Sequence, residues 1–197
     1  MKKQNLLTKP TNGLGTIVFD LEANGLLNDA TRIHCIAINF NHNNETDSFN
    51  DEKYTDNPKE LPMAANYSIT TAISYLETAD FLIGHNIIGY DLPLIKKLYP
   101  YFNPTGIILD TLLLSRLYHP NLLDIDKKRN WNHMPLQLYG RHSLESYGYR
   151  LSEYKGNFGK TTDWSEWSKE MEDYCIQDVN VTTKLWKHFL PYLNGSR

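Results

Sequence analysis

The order of apolar and polar positions predicts strands first, and then strands that alternate with helices. Residues 16–22 are rich in Ile, Val and Phe, and residues 32–40 alternate apolar with polar side chains, so we predict two paired strands. A third short strand is expected around residues 45–49. The remaining predicted elements are a helix over 68–78, a buried strand at 81–83, a helix over 91–98, a buried strand at 107–109, a helix ending at 117, a short helix capped by Ser143, and a helical region over 164–187.

This order of elements predicts an α/β fold with a mixed central β-sheet flanked by α-helices. We expect one domain over residues 16–190, after a partly flexible leader at 1–15 and before a tail at 191–197. The stretch 120–139 is long and polar, and we interpret it as a solvated loop, with contact to DNA or a partner as the alternative.

Composition narrows the class of protein. The 197 residues are 41% apolar, enough for a buried core, and the net charge of −3 does not suit a protein that wraps duplex DNA with a broad basic face. The sequence contains no apolar stretch of about 18 residues, so no membrane span is expected. The first residues lack a long apolar region, so a secretory signal is not expected. Cys35 and Cys175 are expected to be reduced core residues, so we predict a cytoplasmic protein, in the host cell if a phage encodes it.

Five candidate catalytic or metal-binding residues lie in three separated segments. Side chains two apart on a strand share a face, so Asp20 and Glu22 stand side by side. Residues four apart on a helix share a face, so Tyr174 and Asp178 project together. Asp91 follows a buried strand and a turn, at the type of strand end where α/β sheets place their sites.

Each fragment alone also has an ordinary structural explanation, such as turn chemistry, a solvated acid or a helix cap. Their joint occurrence favours a site in which the carboxylates meet. Converging carboxylates suit two hard divalent cations, Mg²⁺ or Mn²⁺, which support hydrolysis of a phosphodiester. Clustered acids without metal repel one another, so the metal-free site is expected to be destabilising.

These segments resemble the three exonuclease motifs of the DEDD superfamily, whose members have a ribonuclease H-like fold. The tyrosine four residues before the last aspartate is typical of the DEDDy (DnaQ-like) branch. More narrowly, the chain is similar to the 3′–5′ proofreading exonuclease domain of bacteriophage family A DNA polymerases from about residue 16 to residue 189. Further stretches that carry the similarity are 19–27, 85–91, 110–112, 115–117, 143–151 and 173–178.

The resemblance implies a role for each matching residue. It implies that Asp20, Glu22 and Asp178 hold one metal ion, and that Asp20 and Asp91 support a second. Tyr174 would orient the attacking water. Three further matches lie at substrate-binding positions: Leu26, which would wedge against the terminal bases, Asn86 and Tyr90.

The expected activity is removal of deoxynucleoside 5′-monophosphates from the 3′ end of single-stranded DNA. In the polymerases several hundred residues follow this domain, whereas this sequence ends at Arg197, so we expect a stand-alone exonuclease, a separate proofreading subunit that partners a DNA polymerase, or an excised fragment. Two alternatives stay open: a ribonuclease D-like exoribonuclease, and a non-catalytic module that binds DNA or a polymerase.

Overall fold

The computed structural model describes residues 14–40, 45–52, 67–129, 131, 133–153 and 163–196, so all of the predicted leader except residues 14 and 15 lies outside the described residues. The strands within these ranges are β1 (Thr16–Ala23), β2 (Ile33–Phe40), β3 (Thr46–Phe49), β4 (Phe81–Gly84) and β5 (Ile107–Asp110). They form one sheet in the order β3-β2-β1-β4-β5. The central strand, β1, pairs antiparallel with β2 and parallel with β4. The predicted mixed sheet is therefore confirmed.

Helices cover both faces of this sheet. In the described part of the chain the α-helices are α1 (Ile69–Thr78), α2 (Asp91–Leu98), α3 (Thr111–Tyr118), α4 (Leu122–Arg129), α5 (Leu144–Leu151) and α6 (Lys169–Leu193). Ser143 accepts a hydrogen bond from the backbone amide of Ser146, which confirms it as the cap of α5. None of the helices in these ranges has the length and apolar character needed to cross a membrane.

Two apolar layers follow from the alternation of side chains along β1. Ile17, Phe19 and Leu21 point into the layer that α1 and α2 cover. Val18 points to the opposite face, where the long helix α6 packs with α3 and α5. Because successive strand residues alternate between faces, Asp20 and Glu22 also lie on the α6 side. Cys35 and Cys175 are buried and free in this second layer, as predicted.

The pairing of β1 with β2 contains one irregularity beside the acids. Glu22 pairs with Cys35, but the next residue, Ala23, pairs with Ile33. His34 is therefore an extra residue on β2, as in a β-bulge, and its ring nitrogen Nε2 lies 3.0 Å from the carbonyl oxygen of Trp164.

Three local predictions were wrong. Strand β5 was expected to be buried, but Ile107 and Ile108 are 57% and 37% exposed because β5 is an edge strand. The stretch 120–139 was expected to be a solvated loop, but it contains α4 and a 3₁₀ helix, Leu136–Leu138. The helical region expected over 164–187 begins later, at Lys169, after the capping residue Ser168.

The described residues of 120–139 are organised around a buried ion pair between Asp126 and Arg150. Their side chains are 0% and 6% exposed, and the closest charged atoms are 2.7 Å apart. Asp126 also accepts hydrogen bonds from the backbone amide of Gly140 and the indole of Trp131. Burial opposes ionisation of Asp126, but these donors and Arg150 hold its pKa below the ordinary value. A polar sequence thus folds here because its acid has internal partners.

Candidate active site

The two acids of β1 lie side by side on the face of the sheet that α6 covers. Asp20 and Glu22 are partly exposed, while Leu21 between them is buried on the other face. Their carboxylate oxygens and the Sγ atom of Cys175 all lie within 4.8 Å of one another. The predicted pairing of these two acids is therefore present in the structure.

Asp91 is the first residue of α2 and is only 3% exposed. It follows a turn that begins at the end of β4, beside the end of β1. One of its carboxylate oxygens, Oδ1, is buried and has no hydrogen-bond partner. Burial and the nearby charges of Asp110 and Asp178 raise its pKa to about 7, although backbone amides, including that of Leu21, act in the opposite direction. The site is thus rich in negative charge.

Helix α6 supplies the third segment of the site. Asp178 is 5% exposed, and its charge acts on Asp91. Tyr174 lies one turn earlier on the same face, half-buried, with its ring packed edge-on against Trp164 at 6.3 Å. The structure therefore gathers the predicted acids of β1, α2 and α6 at one end of the sheet.

The phenol of Tyr90 interacts electrostatically with three of these acids. Burial and the charges of Asp91, Glu22 and Asp20, in that order, raise the pKa of its phenol to about 12. Its hydroxyl group donates a 2.6 Å hydrogen bond to the carbonyl of Gly25, in the loop after β1. That loop presents Leu26, whose side chain is 75% exposed.

Sequence reasoning missed Asp110 as a residue of the site. Asp110 ends β5, is 5% exposed, and accepts hydrogen bonds from the backbone amides of Asn86, Ile88 and Leu112. It thereby holds the turn that leads to Asp91. Asn86 is exposed and has a positive φ of 67°, a conformation that Asn tolerates better than most residues. The available signal was an acid at the carboxyl end of a short apolar strand.

Cys175 lies beneath the β1 acids, but it does not suit a role as metal ligand. Its Sγ donates to the backbone carbonyl of Asp20 at 3.5 Å, and the side chain is fully buried. Burial, contact with Cys35 and the neighbouring acids raise the pKa of its thiol well above the ordinary value. A protonated thiol is a poor ligand, so the donors of this site are carboxylate oxygens.

Comparison with known proteins finds relatives that are similar in sequence over most of this chain. The chain is 30% identical over 203 residues to the DNA-directed DNA polymerases of Enterobacteria phage T3 and of Escherichia phage T7. Each alignment covers 89% of this chain and 27% of the polymerase, so the chain spans about a quarter of the length of these curated relatives. In sequence, the chain is thus similar to one segment of these phage DNA polymerases. The resemblance found in the sequence is thereby confirmed.

Solved structures share the fold of this chain at low sequence identity. NrnC of Brucella melitensis bound to pGG superposes with a TM-score of 0.53 and 16% identity, covering 92% of this chain and 83% of that one. The EXO domain of Aedes aegypti Nibbler gives a TM-score of 0.55 and 12% identity, covering 92% and 79%. No protein-family model matches the chain.

Proposed function

We propose that this protein is a DnaQ-like, metal-dependent 3′–5′ exonuclease that removes deoxynucleoside 5′-monophosphates from single-stranded DNA. One observation carries the proposal. Asp20 and Glu22 stand side by side, their charges act on Tyr90 next to Asp91, and the charge of Asp178 acts on Asp91, so four carboxylates from three separate segments are close enough to interact. The buried Oδ1 of Asp91 has no hydrogen-bond partner. Such an arrangement costs stability unless cations occupy the site.

The residues present fit divalent cations with hard character. Their donors are carboxylate oxygens, which Mg²⁺ and Mn²⁺ prefer, and the charged neighbours that act on the pKa of Asp91 are acids. We assign Asp20, Glu22 and Asp178 to one cation, and Asp20 with Asp91 to a second. When bound, the cations would supply the positive charge that hydrolysis of a phosphodiester requires. The presence of Mg²⁺ in another solved structure of NrnC supports this assignment.

The side chains of the protein then have two tasks. Tyr174 orients the attacking water with its hydroxyl group, one helical turn from Asp178. The acids would hold the cations, whose positive charge would position the scissile phosphate beside that water. Removal of the tyrosine hydroxyl should therefore disturb the alignment of the attacking water, whereas removal of an acid should weaken the binding of the cations.

The expected substrate end is a frayed 3′ terminus. Leu26 is exposed at the tip of the loop after β1, where it can stack against the terminal bases, and Asn86 and Tyr90 lie in the turn before Asp91. Apolar contact with bases is tolerant of sequence and favours single strands. We assign these three residues to substrate binding.

DNA is favoured as the substrate because the two relatives at 30% identity are DNA polymerases. The matched region is only 27% of each polymerase, and we propose that it edits DNA together with a polymerase that is part of the same or of a separate polypeptide. The pGG ligand of NrnC supports recognition of an oligonucleotide. The alternative of an RNA substrate is one outcome of the test below.

Timed digestion of 5′-labelled single strands tests the proposal. DNA and RNA of equal sequence are incubated with Mg²⁺, with Mn²⁺ and with a chelator. We expect stepwise shortening of DNA from the 3′ end with metal, none with chelator, and slower loss of RNA. Faster loss of RNA would replace the DNA assignment by an exoribonuclease.

Two variants make this test specific to the acids. Asp20→Ala should lower turnover by several orders of magnitude while the far-ultraviolet circular dichroism is unchanged. Asp173→Ala is the matched control, because Asp173 is an exposed acid on the same helix as Asp178. Wild-type rates in Asp20→Ala, or metal-independent digestion, would overturn the proposal and leave a binding module.

A further inference from the structure

His34 is a polar residue in an apolar part of β2. Its side chain is 1% exposed, and the neighbouring Ile33, Cys35 and Ile36 are buried apolar residues. One ring nitrogen of His34, Nδ1, is buried and has no hydrogen-bond partner among the residues that the structure describes. A buried polar atom without a partner costs free energy, which an apolar residue at this position would avoid. The use of a histidine here therefore lies in its other ring nitrogen.

That nitrogen, Nε2, joins β2 to the segment that precedes α6. It lies 3.0 Å from the backbone carbonyl oxygen of Trp164. Because a carbonyl oxygen can only accept a hydrogen bond, Nε2 carries the proton and donates it. Burial lowers the pKa of His34 and outweighs the opposing effect of the hydrogen bond to Trp164. The ring is therefore neutral at physiological pH, and its single N–H group binds the carbonyl of Trp164.

The β-bulge gives His34 access to this segment. Ile33 and Ile36 lie in the apolar layer that α1 and α2 cover, whereas Cys35 lies in the layer that α6 covers. In a regular strand, residues 33 and 35 would share a face of the sheet. The extra residue breaks the alternation, so that the ring of His34, like the thiol of Cys35, contacts the side on which α6 lies.

Trp164 in turn contacts a residue of the proposed active site. Its indole ring packs edge-on against the ring of Tyr174, with 6.3 Å between the ring centroids and 74° between the ring planes. This spacing and angle are typical of stabilising aromatic pairs. A change of the χ1 rotamer of Tyr174 would move its ring away from the indole and would move the hydroxyl group with it. The contact with Trp164 therefore restricts where the hydroxyl group of Tyr174 lies.

We propose that His34 and Trp164 are positioning residues for Tyr174: His34 holds the backbone at Trp164, and the indole of Trp164 holds the tyrosine in the orientation that aligns the attacking water. This inference rests on the proposed exonuclease function, in which Tyr174 orients that water. His34 and Trp164 act on the substrate only through Tyr174. They therefore affect the rate of the chemical step and not the binding of the strand.

Variants of His34 test the hydrogen bond to Trp164. His34→Leu removes the N–H donor and keeps an apolar side chain in the buried site, whereas His34→Gln keeps an N–H group at a similar distance from the backbone. With 5′-labelled single-stranded DNA and Mg²⁺, we expect His34→Leu to lower kcat about tenfold and to leave KM within about twofold of the wild type, because misplacement of a positioning group affects alignment. His34→Gln should retain at least about a third of the wild-type kcat, since the donor is kept. Equal losses in the two variants, or an increase in KM alone, would overturn the proposal.

A double-mutant cycle with Tyr174→Phe separates positioning from general damage to the fold. If His34 acts through the tyrosine hydroxyl, His34→Leu should lower kcat by less than about twofold in a protein that already lacks this hydroxyl. Trp164→Leu should show the same non-additivity with Tyr174→Phe, and it leaves the side chains of the sheet unaltered. Additive losses in these cycles would overturn the proposal.

His188→Leu is the matched control for the loss of a histidine hydrogen bond. Nε2 of His188 lies 2.9 Å from Nε2 of His119, at the end of α3. His188 is also on α6, about 21 Å further along the helix axis than Tyr174. We expect its kcat to be within about twofold of the wild type, because it does not contact the aromatic pair that orients the water. A loss as large as that of His34→Leu would overturn the proposal.

Fluorine NMR distinguishes failure of this inference from failure of the proposed function. If the wild-type protein hydrolysed no strand, the exonuclease proposal would fail, but the orientation of Tyr174 would still be measurable. The thirteen tyrosines are replaced by fluorotyrosine, and the resonance that disappears in Tyr174→Phe is that of Tyr174. His34→Leu should shift this resonance in the same direction as Trp164→Leu, which removes the ring current of the indole, while His188→Leu should leave it in place. An unchanged resonance in His34→Leu would overturn the inference.

Discussion

The hydroxyl group of Tyr90 donates a 2.6 Å hydrogen bond to the backbone carbonyl of Gly25, and this bond joins the turn before Asp91 to the loop that carries Leu26. The ammonium group of Lys97 supports the same loop, because it donates to the carbonyls of residues 27, 28 and 30. The exposed tip of the loop is thus held by two side chains from the region of α2.

Tyr90→Phe should lower the free energy of unfolding by about 1 kcal/mol, because one partly buried hydrogen bond is lost and the acceptor at Gly25 is left unpaired. Urea titration measures the change. The exposed Tyr101→Phe is the control and should be within about 0.5 kcal/mol of the wild type. Equal stability of both variants would show that the bond does not hold the loop.

The metal-free protein should lose stability as pH rises from about 4 to about 7. The pKa of Asp91 is about 7 in the folded protein against an ordinary value of 3.8, so the folded state retains a proton that the unfolded state releases. This contribution is fully present below pH 4 and is lost as pH passes through 7. Asp91→Asn should flatten the dependence when thermal unfolding is followed in chelator.

Asp29→Asn provides the comparison for that experiment, since Asp29 is exposed in the loop after β1. We expect it to follow the wild-type curve. If Asp91→Asn also followed that curve, the burial of an uncompensated carboxylate at Asp91 would be refuted.

Mg²⁺ or Mn²⁺ should raise the melting temperature, because the cations bind the folded acid cluster and offset its repulsion. At a metal concentration of about 100 times Kd the gain is about 2.7 kcal/mol for one site. Asp20→Asn should reduce the shift measured by differential scanning calorimetry. A wild-type transition that does not move in saturating metal would argue against a preformed site.

Tyr174→Phe and Asp178→Ala should differ in their effect on the rate. Loss of the tyrosine hydroxyl disturbs the alignment of water and should lower kcat by about tenfold to a hundredfold. Loss of the acid removes a proposed metal ligand and should lower kcat by about a thousandfold or more. Single-turnover digestion of single-stranded DNA compares the two, and equal losses would contradict this division of roles.

Asp126→Ala should destabilise the fold by about 3–5 kcal/mol, because it leaves the guanidinium of Arg150 buried without its partner. The matched control is Asp173→Ala, which removes an exposed ion pair with Lys169 and should cost less than about 1 kcal/mol. Urea titration of both variants checks the difference. Similar values would mean that Arg150 finds another partner.

The sequence predicted the residues that depend on local periodicity. Asp20 and Glu22 followed from the two-residue repeat of a strand, and Tyr174 and Asp178 from the helical repeat. Helix α2 begins at Asp91 and ends at Leu98, as the apolar spacing predicted. In each case the relevant information lies within a few positions along the chain.

The features that were missed depend on contacts between distant segments. Ile107 and Ile108 form a short apolar run typical of a central strand, but only the order of the sheet makes β5 an edge. No local pattern in the sequence indicated that Asp126 is buried in an ion pair, because its partner Arg150 is 24 residues away along the chain. The Ser115–His142 contact spans 27 residues and had no local signal.

The extra residue at His34 restricts where this chain can change its length. A shift of β1 by one position against β2 would turn Asp20 and Glu22 into the apolar layer below α1 and α2 and would bring Leu21 to their place. Single insertions within β1 should therefore abolish activity, whereas natural variation in length should be confined to the connections between elements.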